Sequence, residues 1–183
     1  RITAHNRAKH TAPLHILPQL VFRNTWSWKQ GTPKPNMRRG TLRSDVQMIH
    51  VEHSAFPAYY FYAQDCQDLL FCENETNTQR LYDTPGSGLY KDGFHEYIIH
   101  QRTDAIQRMQ GTKAAAHFVR YIPGESSVTI QCRLTPHSLE ETGQHPFVDS
   151  EELFATRIQE TDDYYQSIQE HLDEAQHHRI HRQ

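Results

Sequence analysis

Two glutamates separated by one residue, Glu73 and Glu75, form a carboxylate pair that could carry out acid–base chemistry. If a strand continued through them, both side chains would lie on one face, because side chains alternate along a strand. Glycosidases use two carboxyl groups, one as general acid and the other as base or nucleophile. Such a pair on an exposed strand is more often a solvated edge, and this second interpretation is favoured. Asn74-Glu75-Thr76 is also a formal N-glycosylation sequon.

The segment FRNTWSW contains both tryptophans of the chain. Its aromatic side chains alternate with planar and hydroxyl groups, a mixture suited to the C–H faces and hydroxyls of sugars. The alternative is that these aromatics anchor a loop to the core or to a neighbouring domain, and composition alone favours that alternative. The candidate contact residues are Phe22, Arg23, Asn24, Trp26 and Trp28.

The segment KDGFHEYIIH places Asp92, His95 and Glu96 on one side of a predicted helical turn. Histidine is a natural proton carrier near neutral pH. A Ser-His-Asp hydrolase of the α/β type is not predicted, because the chain has no G-x-S-x-G motif. The alternative is a capped helix whose polar residues face an interface, so Asp92 and His95 are retained as candidate contacts.

The C-terminal segment EAQHHRIH offers a second arrangement of potential metal ligands. Glu174, His177, His178 and His181 have a helical spacing that could hold zinc, but the H-E-x-x-H motif is absent. A solvated or interfacial helix face is the favoured interpretation. We therefore predict neither a metal site nor a cofactor.

Composition excludes some function classes. The net charge of the 183 residues is −3 with histidine neutral, which gives no basic footprint for nucleic acid. The three cysteines form no C-x-x-C motif and lie in apolar runs, which favours a reducing compartment and a cytoplasmic location. No apolar run reaches membrane-spanning length and no signal peptide is evident, so no membrane partner is expected.

Short alternating segments separated by turn residues predict a mainly β fold, an antiparallel β-sandwich followed by a C-terminal helix. Residues 24–44 are predicted to be a long loop, and Pro18 should break or bulge the strand predicted at 14–22. A hairpin is predicted around Pro123-Gly124. The predicted strands are 1–7, 14–22, 46–53, 58–64, 69–73, 113–122 and 126–134, and the predicted helices are 92–101 and the segment that follows a capping box at Asp149 and Glu152.

The predicted domains are a β-sandwich over residues 1–135, whose first strands are expected to be missing, and a linker with a helix over 136–183. The chain opens in a strand pattern without a methionine and closes inside a helical pattern. Both ends are therefore interpreted as cut from a longer protein.

Four blocks occur in a familiar order and spacing: APLHILPQLVFRNTWSW, ENETNTQRLY, YKDGFHEYIIH and GTKAAAHFVRYIPGES. Together they resemble the N-terminal β-sandwich region of bacterial members of glycoside hydrolase family 63, which includes mannosyl-oligosaccharide glucosidase-like enzymes. The resemblance runs from the first strand to the last helix. FRNTWSW and GTKAAAH are its most specific parts.

The resemblance implies that the sandwich packs on an (α/α)6 barrel of the same polypeptide. That barrel would hold the acid and base carboxylates of an inverting α-glucosidase acting on oligosaccharides, so no catalytic residue is expected in this chain. In the full-length protein, Trp26 and Trp28 are expected to be buried at the junction with the barrel, and Arg23 paired there. The alternative is a free-standing carbohydrate-binding or protein-interaction β-sandwich. A self-contained glycosidase using Glu73 and Glu75 is the third possibility.

Overall fold

The computed structural model describes residues 1–40, 45–86 and 88–168. The chain forms two compact units, of which the first is Arg1–Gly143 and the second begins at Gln144. The strands are β1 (Ile2–His5), β2 (Ala12–Ile16), β3 (Gln19–Val21), β4 (Asn36–Gly40), β5 (Val46–His53), β6 (Phe56–Gln64), β7 (Asp68–Cys72), β8 (Gln110–Gly111), β9 (Lys113–Ile122), β10 (Ser127–Ile130) and β11 (Cys132–Thr135). The α-helices are α1 (Thr78–Tyr82), α2 (Gly93–His100), α3 (Leu139–Thr142) and α4 (Ser150–Ile168).

Antiparallel sheets make up the first unit. One sheet has five strands in the order β11-β6-β5-β4-β8. A second sheet is centred on β9, which pairs with β2 and β3 along one edge and with β7 along the other. A separate two-stranded sheet joins β1 to β10. The predicted mainly β, antiparallel, sandwich-like fold class is thus confirmed.

The main core lies between the five-stranded sheet and the β9 sheet. Met37, Ile49 and Phe61 of the former pack in one cluster with Phe71 and Phe118 of the latter, and all five side chains are buried. Phe61 is the aromatic residue that β6 points into the core, in keeping with the alternation of side chains along a strand. Burial of this apolar surface supplies the main favourable free energy of folding.

The other face of the β9 sheet is also buried. Leu70, Cys72 and Ala115 form a second cluster with Phe94 of α2 and with Ile106. Along β9, Ala114 and Ala116 therefore face the first cluster and Ala115 the second. A strand that is covered on both faces carries consecutive apolar residues, as β9 does in the sequence AAA at 114–116.

The prediction of one long loop over residues 24–44 is wrong in its second half. Strand β4 (Asn36–Gly40) pairs with β5 on one side and with β8 on the other. Met37 is fully buried, while the Arg38 guanidinium donates to Glu52 (2.8 Å) and the Arg39 guanidinium to Asp68 (2.5 Å). A cross-strand partner on β5 therefore pairs with Arg38, and a residue of β7 in the other sheet pairs with Arg39. Residues 41–44 lie outside the described part of the chain.

The predicted hairpin around Pro123-Gly124 is also wrong. Strand β9 runs up to Ile122, but β10 pairs with β1 and β11 pairs with β6. The alternating segment is divided at Gln131, and its two halves join different sheets. The predicted break at Pro18 is confirmed, because β2 ends at Ile16 and β3 starts at Gln19.

The second unit contains α4, which follows Asp149 as the sequence predicts. Its apolar side chains recur at helical spacing, but none of its described residues is buried within this chain. The rest of the predicted helix, from residue 169 onward, lies outside the described residues. Among the described helices, none combines the length and apolar character that crossing a membrane would need.

A histidine pair joins β2 to β9. The Nδ1 atom of His15 and the Nε2 atom of His117 are 2.8 Å apart, and the two rings stack. Tyr97 of α2 meets the His117 ring edge-on. Burial lowers the pKa of His117, and repulsion from His15 and Arg108 lowers it further. Over a range of pH, His117 is therefore neutral in the folded protein while the same side chain is protonated in the unfolded chain.

Gly111 should be intolerant of any side chain. A Cβ atom there would lie 2.5 Å from the carbonyl oxygen of Cys72. This is a backbone atom, so it cannot move away without a shift of the main chain. We expect Gly111→Ala to lower the free energy of unfolding by about 1–3 kcal/mol, as overpacking does. Gly88→Ala is the matched control, since a Cβ there meets no atom within 4 Å. Urea denaturation of both variants checks this, and equal stabilities would contradict it.

Acid should destabilise the protein through His117. The unfolded chain takes up a proton at His117 as the pH falls through the ordinary value of 6.5, and the folded protein does so only at lower pH. The contribution to stability is therefore fully present above that value and is lost as the pH falls below it. We expect His117→Gln to reduce the difference in unfolding free energy between pH 7.5 and pH 5.5. His10→Gln, which removes an exposed imidazole, is the control, and an unchanged difference in His117→Gln would refute the explanation.

Candidate functional site

Glu75 is the centre of the hydrogen-bonding network around FRNTWSW. Its carboxylate accepts hydrogen bonds from the indole Nε1 of Trp26 (2.6 Å) and from the side-chain amide of Asn24 (3.1 Å). Lys34 completes the set with an ion pair of 3.4 Å. The segment that follows β7 therefore holds the aromatic loop in place through one side chain, which we call the Glu75 clamp.

The clamp sets the ionisation of Glu75. Partial burial by itself would raise the pKa of this carboxyl, but the hydrogen bonds from Trp26, Asn24 and Lys34 together bring it below its ordinary value. A general acid in a glycosidase needs the opposite shift, so that it still carries a proton near neutral pH. The geometry therefore makes Glu75 a structural acceptor.

Glu73 points to a different partner. Strand β7 ends at Cys72, so the condition under which Glu73 and Glu75 would share a face is not met. The hydroxyl of Thr112 donates to Glu73 (2.7 Å) and accepts from the backbone N–H of Asn74 (2.7 Å). The two carboxylates thus bind separate partners, and the strand that would place them on one face does not extend to them.

The side chains of Asn24 and Asn74 join the FRNTWSW segment to the segment that follows β7 through hydrogen bonds to backbone carbonyls. The side-chain amide of Asn74 donates to the carbonyl of Phe22 (2.8 Å), and that of Asn24 donates to the carbonyl of Asn74 (2.7 Å). Asn24 also accepts from the backbone N–H of Ser27 (3.1 Å), which shapes the turn before Trp28. Asparagine suits this place because each amide can both donate and accept.

The two tryptophans occupy different environments. Trp26 is 8% exposed, whereas Trp28 is 66% exposed. The Arg23 guanidinium lies over the Trp28 ring, 4.9 Å from its centroid. Trp26 is thus already buried within this unit, and burial of Trp28 in a longer protein stays a prediction. On the surface, Arg23 and Trp28 form a flat cationic and aromatic platform.

Phe22 faces an apolar groove of about 250 Å³ on the other side of the segment. Its ring stacks on His53 with 5.2 Å between centroids and lies 6.2 Å from Phe56. Val51 and Leu134 add aliphatic walls. Phe56 and Leu134 are 56% and 54% exposed, so this chain leaves the groove open to solvent.

Asp92 lies beside a polar cavity of about 160 Å³ at the start of α2. It occupies the N-cap position, as predicted, but its side chain makes no capping bond. Instead its carboxylate accepts from Asn77 (3.1 Å) and from Arg80 (3.3 Å). Glu96 accepts from the same guanidinium at 3.0 Å. The cavity walls therefore carry charges of both signs together with amide groups.

A tyrosine in the cavity wall has an unused hydroxyl. Among the described residues, the Tyr90 hydroxyl is buried without any hydrogen-bond partner. A buried orphan polar group costs free energy unless a partner arrives. The hydroxyl of a bound sugar or polyol could supply that partner.

His95 does not join Asp92 in the cavity. It is exposed on α2 and meets the ring of His100 edge-on, with 5.6 Å between centroids. Of the three residues predicted to share one side of the helical turn, Asp92 and Glu96 line the cavity, and His95 does not. The tail cluster of Glu174, His177, His178 and His181 lies outside the described residues.

The aromatic loop and the cavity are linked by the segment 73–77. The carbonyl of Glu75 accepts from the backbone N–H of Lys91, next to Asp92, at 3.0 Å. Asn77 caps α1 through its side chain and bonds to Asp92 as well. Sequence reasoning missed Lys34, Thr112 and Tyr90, because a single lysine, threonine or tyrosine carries no motif.

Comparisons with known proteins place few constraints on this site. No family model matches the chain, and no solved structure matches it. The chain is 31% identical over 202 aligned residues to the Uncharacterized protein YMR196W of Saccharomyces cerevisiae, strain ATCC 204508 / S288c. The match covers 92% of this chain and 18% of that protein. The chain thus spans less than one fifth of the length of this relative.

Removing the indole N–H of Trp26 should loosen the loop. Trp26→Phe keeps an aromatic ring but takes away the shortest of the bonds to Glu75, which leaves a half-buried carboxylate under-satisfied. We expect a loss of about 1–3 kcal/mol in unfolding free energy. Trp28→Ala is the control, and its loss should stay below about 1 kcal/mol because it removes an exposed cation–π contact. A larger loss for Trp28→Ala in urea denaturation would contradict this assignment.

Proposed function

We propose that this chain is the non-catalytic β-sandwich portion of an inverting glycoside hydrolase of the α-glucosidase type, acting on oligosaccharides. Support comes from the four sequence blocks that resemble glycoside hydrolase family 63 and from the antiparallel fold.

The observation that carries the proposal is the structural use of both candidate carboxylates. Glu75 accepts hydrogen bonds from Trp26 and Asn24 and forms an ion pair with Lys34. Glu73 accepts a hydrogen bond from Thr112. With Glu73 and Glu75 engaged in this way, the proposed hydrolase takes its acid–base pair from elsewhere, and the proposed source is an (α/α)6 barrel of the same polypeptide. There an acid would protonate the leaving oxygen while a base activates water, across roughly 6.5–9.5 Å between the carboxyl groups.

In this proposal the clamped loop forms part of the surface that meets the barrel. The open apolar groove at Phe22 and Phe56 has the character of an interface surface, because its walls are apolar and rimmed by polar groups. Arg23 and Trp28 lie on the same segment and would contact either the barrel or the sugar. The polar cavity at Asp92 is the second place in this chain suited to hydroxyl groups.

A second candidate function is a free-standing carbohydrate-binding module. The exposed Trp28 ring, with Arg23 over one face, favours it specifically. Aromatic platforms bind sugars through the C–H faces of the ring, and planar donors such as arginine add hydrogen bonds. The two functions differ in whether sugar binding by the isolated chain depends on Trp28.

We also propose a cytoplasmic location. Cys66, Cys72 and Cys132 are all free thiols. Burial raises the pKa of Cys66 and of Cys72 to about 12 and that of Cys132 to about 11, so none is a ready thiolate nucleophile. Buried unpaired thiols are the usual condition in a reducing compartment.

The proposal predicts that the isolated chain does not hydrolyse α-glucosides, whereas a longer polypeptide carrying the barrel does. Proton NMR of the first-formed product should then show the β-anomer from an α-linked substrate, because inversion requires it. Glu73→Gln and Glu75→Gln in the longer polypeptide should lower its melting temperature but leave the stereochemistry of the product unchanged. Turnover by the isolated chain that either substitution abolishes would instead establish a self-contained glycosidase.

Steady-state kinetics of Trp28→Ala in the longer polypeptide separates a junction role from a substrate role. If Trp28 is covered by the barrel, the melting temperature should fall, because truncating a buried tryptophan costs about 3–5 kcal/mol. If Trp28 contacts sugar, KM should rise or kcat should fall at an unchanged melting temperature. Binding of oligosaccharides by the isolated chain, lost in Trp28→Ala, would support the carbohydrate-binding module instead. No change in any of these quantities would exclude all three roles.

A further inference from the structure

We propose that His95, Glu96 and His100 of α2 form a binding site for a divalent transition metal of the zinc type. One ligand atom from each of the three side chains lies within 4.8 Å of the other two. This site goes beyond the proposed glycosidase function and does not depend on it. It also departs from the sequence analysis, which predicted no metal and considered zinc only for the tail.

The short helix α2 brings the three side chains together, with Glu96 in its first turn and His100 in its last. Glu96 and His100 are four residues apart, so they lie on the same face of α2, and His95 precedes Glu96 directly. The helix stops at His100, and Gln101 takes a left-handed conformation with φ of 55°. The rings of His95 and His100 then meet edge-on, with 5.6 Å between centroids.

Charge around the site favours a cation. Arg80 contacts Glu96 at 3.0 Å and Arg102 contacts it at 3.8 Å, but each arginine also pairs with a second carboxylate. Arg80 pairs with Asp92 (3.3 Å) and Arg102 with Asp104 (2.9 Å). Three carboxylates thus face two guanidinium groups, and the C-terminus of the helix adds partial negative charge beside His100.

Glu96 keeps coordination capacity despite its arginine contacts. A carboxylate offers about four lone-pair positions, of which the two guanidinium groups use two. The contacts also fix the orientation of the carboxylate, as outer partners do for metal ligands in proteins. Glu96 is half-buried while both histidines are exposed, so the fixed ligand is the carboxylate and the adjustable ligands are the imidazoles.

The ligand set selects the metal. Two imidazole nitrogens and one carboxylate oxygen suit Zn²⁺ and its neighbours, whereas Ca²⁺ and Mg²⁺ prefer oxygen ligands alone. Zinc bonds of about 2.0–2.2 Å require the donor atoms to approach each other more closely than in the structure. Side-chain rotation of exposed His95 and His100 can achieve this without disturbing the core. Three protein ligands leave a fourth position for water or for a ligand.

Calorimetric titration of the full chain with ZnCl2 tests the site. The double variant His95→Ala/His100→Ala should lose at least about tenfold in zinc affinity, since even outer-shell losses weaken a metal site 10–100-fold. The matched control is His5→Ala/His10→Ala, which removes two exposed histidines with the same spacing and should keep the wild-type affinity. Zinc should raise the melting temperature of wild type and control but not that of the double variant. CaCl2 and MgCl2 should leave all three unchanged.

Three further variants test each ligand separately. Glu96→Gln should weaken zinc binding, because a neutral amide is a poorer ligand than a carboxylate. The single variants His95→Gln and His100→Gln, which retain bulk and polarity, should each weaken it as well. Zinc affinity unchanged in the histidine double variant, or lost equally in the control, would overturn the proposal. Full affinity in Glu96→Gln would exclude the three-ligand site.

Discussion

Strand β9 sets the constraint on which the rest of the first unit depends, because it is paired along both edges and covered on both faces. Ala114 and Ala116 face the five-stranded sheet, and Ala115 faces Phe94 of α2. Small side chains at these three positions let a sheet and a helix approach the same strand from opposite sides. Larger residues would force off-rotamer packing or a backbone shift in a dense interior.

The position of β9 determines where the candidate site can form. Strand β7 pairs with β9 and ends at Cys72, so the next residues leave the sheet beside the end of β3. There Glu75 meets Trp26, and its own backbone carbonyl meets the N–H of Lys91 ahead of α2. One carboxylate and one carbonyl of the same residue thus connect the aromatic loop to the polar cavity.

Sequence reasoning could identify strands but not their partners. Alternating polarity marks Val46–His53 closely, whereas β10 joins β1 across the whole length of the unit, and no local pattern encodes such a distant pairing. Strand β4 was not predicted, because consecutive arginines such as Arg38 and Arg39 are typical of loops. Their carboxylate partners, which allow them to lie in a sheet, are known only from the structure. Within the site, the residue types identified candidate contacts, but the sequence did not reveal the burial or the hydrogen-bond partners of each side chain. Trp26 and Trp28 look equivalent in the sequence, yet among the described residues only Trp26 has a carboxylate within reach of its indole nitrogen.

The bond between Asn74 and Phe22 has a consequence for how the chain can be processed. Asn74 is the acceptor asparagine of a formal glycosylation sequon, and an oligosaccharide would attach to the same nitrogen that donates to the Phe22 carbonyl. In the folded protein that nitrogen is engaged and half-buried, so an oligosaccharyltransferase could not reach it without opening the loop. A chain that met this enzyme while still unfolded would carry its glycan into the clamp and hinder its closure. The sequon is therefore compatible with this fold only if folding precedes, or avoids, the glycosylation machinery.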